Sequence, residues 1–177
     1  MASAQLIESF FKFCPQCGAG NREVGSVPFR CRQCGFAHFF GPVAAVGALI
    51  SNDQDQLLMV QRARDPGKGR WGLPGGFVDR EETIEQALAR EVLEETNLRV
   101  IHAEYLISRP NQYNYRGMIS PVIDLFYVCR VERTDPISLA PDELQSHQWV
   151  RPTDAHLERM AFHSNRLAIE HWLTLES

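Results

Sequence analysis

No apolar run in this chain exceeds eight residues, Val43 to Ile50, well short of the roughly 20 that a helix needs to cross a bilayer. A membrane span is therefore not expected. Met1 to Phe13 lacks a basic start, a long apolar stretch and a cleavage site, so it does not read as an export signal. Basic excess is missing as well. The 18 Lys and Arg stand against 22 Asp and Glu, a formal −4, and no basic stripe supplies the electrostatic footprint that bulk nucleic acid requires. Nucleic acid is accordingly not expected as a partner. Repeats and low-complexity tracts are absent, which excludes solenoids. The six histidines show no ligand spacing and read as surface or core residues. Cysteine is scarce, at five, yet its placement is informative.

Cys14 and Cys17, then Cys31 and Cys34, form two CxxC pairs, CPQCG and CRQCG, with thirteen residues between them. Four thiolates at this spacing read as a closed structural zinc site of the ribbon type, with no open position for catalysis. A disulfide framework fits less well, because nothing suggests secretion and a CxxC loop is too short to restrain much. A redox CxxC would need one pair beside a βαβ unit. The fifth, Cys129, lies in the apolar run VIDLFYVCRV and reads as a small core residue. Residues 1–41 carry four cations against Glu8 and Glu23, a formal +2 that a zinc tetrathiolate brings to about zero. We divide the chain into this ribbon with its short leading segment, 1–41, and a larger domain, 42–177. The small module would need metal because it cannot bury enough apolar surface itself. A reducing compartment, the cytoplasm, is expected.

The second signal is acidic. In the segment GFVDREETIEQALAREVLEETNL, Gly76 to Leu98, the spacing predicts a helix that ends at Thr96 and opens on an Asp-x-x-Glu start, Asp79 to Glu82. Glu91, Glu94 and Glu95 stand at i, i+3 and i+4 and share one surface of it. At roughly 100° per residue, with Ile84 at zero, Leu88 falls near 40°, Val92 near 80° and Ala87 near 300°. Glu91 and Glu95 fall at roughly 340° and 20°, inside that apolar stripe. An ordinary solvated helix would carry its acids on the opposite side. Carboxylates gathered against a core call for a cation, and magnesium, which shares hard oxygens with substrate phosphates, suits them.

The segment resembles the Nudix box: Gly, five residues, Glu, seven residues, Arg-Glu, an apolar residue, any residue, Glu-Glu, any residue, Gly and an apolar residue. This chain matches with Gly76, Glu82, Arg90, Glu91, Val92, Glu94, Glu95 and Leu98, preceded by the usual lead-in WGLPGG, Trp71 to Gly76. It departs at Asn97, which stands where the family has a helix-ending glycine and which is the next best left-handed residue. It departs again at Glu81, often glycine in the family, where the entering turn is expected to differ. The resemblance implies an α+β fold, an α/β/α sandwich around a mixed β-sheet. It also implies a pyrophosphohydrolase that uses magnesium or manganese and water. On that analogy Glu91, Glu94 and Glu95 hold the metal, with Glu91 or a nearby acid as base. Glu82 supports the metal through water or as an extra ligand, the Gly75 carbonyl completes its shell, and Arg90 orients Glu91. A plain surface ion pair is an equal reading of Arg90.

Around the box, Val43 to Ser51 and Leu57 to Ala63 read as a hairpin or near-hairpin about the polar turn NDQDQ, followed by a loop over 64–73. Leu98 to Ser108, Met118 to Arg133 and His147 to Arg151 read as strands, and Asp154 to Met160 and Ser164 to Leu175 as helices. Arg62, Arg64, Lys68 and Arg70 are candidate phosphate contacts, with solvated loop cations the commoner reading. Tyr113 and Tyr115, in RPNQYNYRG, are candidates for stacking on an adenine or flavin ring, or for gripping a loop. Asp142 and Glu143 read as a polar turn after Pro141, where some Nudix members place a further acid near the metal. A ribbon before the box is seen in the branch with NADH pyrophosphatases and hydrolases of FAD or ADP-ribose. The NADH branch carries a Ser-Gln-Pro-Trp-Pro-Phe segment past the box, and here that region is EYLISRPNQYNYRGM. The expected substrate is therefore ADP-ribose, FAD or a similar dinucleotide. A small-molecule nucleotide and a second copy of the chain are the partners considered. The competing class is a non-catalytic module, its ribbon contacting a protein or nucleic acid and its larger domain sensing a nucleotide. The intact set of acids argues against it.

Overall fold

Strands form where apolar residues run without interruption, because both their faces are covered. In the computed structural model, which describes residues 4–175, the strand β4 (Val43–Ile50) sends Val46, Ala48 and Ile50 to one side and Leu49 to the other. The strand β5 (Leu57–Arg62) does the same with Leu58 and Val60 against Leu57 and Met59. That alternation is the period of two of an extended chain, and its burial on both faces explains the absence of polar positions.

The helix α1 (Ile84–Thr96) covers the first face, packing Ala87, Leu88 and Val92 with Leu98, Tyr127 and Leu144. The helices α2 (Asp154–Leu157) and α3 (His163–Leu175) cover the second, where Leu157, Ala168, Ile169 and Trp172 meet Leu73 and Phe126. Between them lie two sheets. In one, β8 (Met118–Val131) lies beside β4 and also pairs with β7 (Val100–Tyr115). In the other, β5 is flanked by β6 (Trp71–Gly72) and β9 (Leu144–Val150), both antiparallel to it. The fold class is the expected α+β sandwich with helices on both faces.

One local expectation is narrowed and two need correction. Of the hairpin or near-hairpin expected of β4 and β5, the second form is what occurs: they belong to different sheets and, among the described residues, the turn closes on the antiparallel bridge Ser51–Leu57, a corner between sheets. The loop over 64–73 contains a short strand, β6. The segment left between strands at 109–117 continues β7 to Tyr115 and closes on Arg116 and Gly117, both at positive φ (50° and 86°), as a two-residue hairpin turn requires. Pro110 suggests a break, but a strand at a sheet edge tolerates proline.

The chain groups into two compact units, residues 1–43 with 112–122, and 44–111 with 123–177. The first holds β1 (Gln5–Leu6), parallel to the start of β8, and the small hairpin of β2 (Phe29–Arg30) and β3 (Ala37–His38). Its core is slight, with Cys14, Phe29 and Cys31 buried among Phe11, Ala19, Phe36 and Phe40. Among the described residues, no helix is long and apolar enough to cross a membrane.

Candidate functional site

α1 begins one turn later than the Asp-x-x-Glu pattern suggests. Thr83 is the cap: its hydroxyl accepts from the Gln86 N–H, and the Gln86 side chain accepts from the Thr83 N–H, a reciprocal capping box. Asp79 and Glu82 instead close the preceding turn, where the Glu82 carboxylate accepts from the Asp79 N–H at 3.1 Å. Glu81 adopts a φ of 62°, so the left-handed turn that glycine would favour is made by glutamate at some strain. At the other end Asn97 is left-handed (φ 58°, ψ 22°) and its N–H reaches the Leu93 carbonyl at 2.9 Å, the termination that its place in the box predicts.

The lead-in loop is sewn to β4. Ala48 donates to the Pro74 carbonyl and Val46 to that of Gly76, each at 2.8 Å. The Gly75 carbonyl between them has no hydrogen bond among the described residues. Gly75 has φ 146°, and a Cβ there would meet the Val46 carbonyl oxygen at 2.1 Å, so only glycine fits. At Gly76 a Cβ would strike the Glu91 carboxylate, 2.5 Å from its carbon. The two glycines thus let backbone and carboxylates approach closely.

The acids divide by position on α1. Glu95 is 5% exposed, and among the described residues its carboxylate accepts a hydrogen bond from the Gly75 N–H at 2.9 Å. Burial raises it to about 8, with the charges of Glu91 and Glu143 adding to the rise. Glu91 is raised too, again chiefly by burial. Glu94 lies on the exposed flank, off the buried stripe. Among the described residues no three box acids are gathered as a ligand set, and Arg90 lies between them. One of its amino groups donates to Glu91 at 2.7 Å and Glu94 at 3.1 Å. Its Nε and other amino group clamp both Glu82 oxygens at 2.8 Å, a bidentate pair. That bond holds Glu82 down at about 2 and, with Glu91, pushes Arg90 above its ordinary value. The donor set fits a hard divalent cation: a buried carboxylate short of donors, a second beside it, and an unbonded carbonyl at Gly75.

The other candidates have partners of their own. Arg62 donates to the Pro66 carbonyl at 2.7 Å and lies 5.1 Å from the centre of the Phe162 ring. Its charge also lowers Glu95. Arg64 pairs with Glu143 at 2.7 Å, and Arg70 donates to the Met160 carbonyl. Lys68 is on the exposed turn after Asp65, to which its N–H donates. Tyr113 and Tyr115 stand at the tip of the β7–β8 hairpin, in the first unit, whereas the box acids belong to the second. Glu143 is the residue that sequence reading undervalued. It occupies the polar turn expected of it, and its charge still reaches Glu91 and Glu95. Backbone pairing of β5 with the start of β9, where the Ala63 N–H meets the Glu143 carbonyl at 2.7 Å, places it there. No local motif signals such a long-range approach.

In the first unit the Cys14 and Cys34 sulfurs lie 3.7 Å apart and those of Cys17 and Cys31 3.6 Å. All four lie within 4.8 Å of one another. A tetrahedron with metal–sulfur bonds of about 2.3 Å has edges of about 3.8 Å, so the set suits a four-coordinate soft metal. The Cys34 N–H pulls the Cys31 thiol down to about 6.

A sequence profile of the NUDIX domain matches residues 41–172. The chain belongs to the Nudix family. Its curated relatives include the NAD-capped RNA hydrolase NudC of Vibrio cholerae, 35% identical over 78% of this chain and 48% of that protein. Another is an ADP-ribose pyrophosphatase of Methanocaldococcus jannaschii, 43% identical over 34% of this chain and 35% of that one. The chain thus spans about half or less of these two relatives. Among solved Nudix structures, the NUDIX domain of Shewanella oneidensis NrtR, complexed with ADP ribose, is 26% identical with a TM-score of 0.62, over 78% of this chain and 91% of that one. A NUDIX hydrolase from Nitrosomonas europaea is 25% identical at the same TM-score, over 92% and 90%. Nudix membership therefore rests on sequence and fold together.

Proposed function

We propose that this protein is a metal-dependent pyrophosphohydrolase that cleaves the diphosphate of a nucleoside diphosphate derivative, most plainly ADP-ribose, FAD or a similar dinucleotide. The observation that carries the proposal is Glu95, a carboxylate buried against a core, raised to about 8 and short of donors. Its burial stabilises no part of the fold that an apolar residue would not serve better. Magnesium or manganese, held by Glu91, Glu94, Glu95 and the Gly75 carbonyl, would neutralise the diphosphate and make a bound water more acidic. Arg90, locked by Glu82, orients the Glu91 carboxylate, and Glu91 or Glu143 takes the proton of the attacking water. With both oxygens on Arg90, Glu82 serves chiefly as an anchor. Residues 1–41 form a zinc ribbon through Cys14, Cys17, Cys31 and Cys34, and 42–177 form the hydrolase domain. The unpaired cysteines suit a reducing compartment such as the cytoplasm.

The test is a panel of nucleoside diphosphate derivatives with magnesium in heavy-oxygen water, reading product masses. ADP-ribose or FAD should turn over fastest, and Glu94→Gln with Glu95→Gln should lower kcat by about 100-fold or more. Fastest turnover of NADH or an NAD-capped RNA would overturn the substrate assignment. Equal inertness of wild type and variant on every compound would overturn the hydrolase.

A further inference from the structure

The first unit carries a surface that hydrolysis does not use. A cavity of about 570 Å³ opens between residues 19–23 and 29–33, and Asn21, Arg22, Arg30, Arg32 and Gln33 are among its lining residues. Arg32 is paired with Glu23, while Arg22 and Arg30 have no ion pair among the described residues. An aromatic ring flanks one of these guanidinium groups: Arg30 lies 5.8 Å from the centre of the exposed Phe39 ring. The backbone of Phe13, whose side chain is exposed, pairs with that of Gly20 in the cavity wall. Of the six exposed aromatic residues in the described chain, Phe10, Phe13, Phe39 and Tyr115 belong to this smaller unit.

Charge follows the same division. Lys12, Arg22, Arg30, Arg32 and Arg116 against Glu8 and Glu23 give the unit +3 with neutral thiols, within a chain of −4. A zinc tetrathiolate would still leave it at about +1. The whole-chain balance that argued against nucleic acid therefore averages two units of opposite sign. Exposed rings cost solubility and are rarely retained in clusters without an occupant. An acidic peptide would use the arginines but leave Phe13 and Phe39 idle. A single-stranded polynucleotide uses both, its phosphates on the cations and its bases on the rings.

We propose that the ribbon is a docking surface for single-stranded polynucleotide, with Arg22 and Arg30 meeting phosphates and Phe13 and Phe39 stacking on bases. This surface stands whether or not the larger domain hydrolyses dinucleotides. The test is fluorescence anisotropy of the full zinc-loaded chain with labelled oligouridylate of about 20 nucleotides, titrated at several salt concentrations. Binding should weaken linearly in log salt and exceed that of duplex of equal length about tenfold. Arg22→Ala with Arg30→Ala should lower the log–log salt slope by about two, and Phe13→Ala with Phe39→Ala should weaken binding about fivefold or more per ring. Zinc content and circular dichroism establish that each variant is folded. No salt-dependent binding, or binding unchanged in both folded variants, overturns the proposal. Poly-glutamate binding that competes with the oligonucleotide and ignores the phenylalanine changes also overturns it, in favour of an acidic partner.

Discussion

The cysteine cluster and the glutamate cluster both gather groups that can carry negative charge, but the regions that hold them differ in what else holds them up. Around the thiols, Phe29 is buried together with Cys14 and Cys31 themselves, and four half-buried neighbours complete the cluster. Beneath the carboxylates lie two clusters of a dozen and ten buried residues. The ribbon lacks the apolar burial to fold by itself, so a metal there contributes folding free energy directly. The sandwich has burial to spare and uses some of it to hold Glu95 where water would not keep it. On the proposed assignment, a cation at the thiols would make structure, and one at the carboxylates would relieve strain already stored there.

Breaking the ribbon should have the largest effect. Zinc binding to such sites is worth on the order of 10 kcal/mol, so chelation or Cys31→Ser should remove hydrogen-exchange protection from residues 4–43 while α1 stays protected. Equal loss in α1 would erase the contrast. A smaller effect is expected at Gly75, where a Cβ would meet a backbone oxygen at 2.1 Å. Gly75→Ala should cost about 2–4 kcal/mol in denaturant unfolding.

The charge on Glu95 sharpens the comparison. Its folded value of about 8 lies above the ordinary carboxylate value, so the folded state retains a proton that the unfolded state has lost. Without divalent metal, stability should fall as pH rises from about 5 to about 8, by a few kcal/mol. Glu95→Gln should flatten the profile, and so should saturating magnesium in the wild type, by thermal unfolding with and without chelator. The smallest effect belongs to Asn97, already left-handed. Asn97→Gly should change stability by less than about 1 kcal/mol, in the stabilising direction, and Asn97→Ala should be the worse of the two.

Much of the site was legible because it is local. Glu91 and Glu95 at four-residue spacing must share the face of Leu88 whatever the fold, and Asn97 could end a helix by its own conformational preference. The CxxC pairs bring their sulfurs together by short-range turns. What could not be read is what depends on distant pairing. Arg62, Arg64 and Arg70 looked alike as loop cations, yet each meets a different partner, Pro66 with Phe162, Glu143 and Met160. Tyr113 and Tyr115 read as candidates for stacking on a ring or gripping a loop, and a strand extended through Pro110 places them in a hairpin of the first unit.

The amino-acid order alone determined the helix that bears the box acids, the two CxxC turns and the apolar strands beneath, since each rests on preferences a few residues apart. The meeting of Cys14 with Cys34 and of Cys17 with Cys31 joins residues 20 and 14 apart and belongs to the tertiary structure. The tertiary structure decided that β4 and β5 part into separate sheets, that Glu143 approaches Glu91 and Glu95, and that Glu95 is dry enough to hold its proton. Burial and field at a carboxylate are sums over everything around it, and most of those neighbours are remote in sequence.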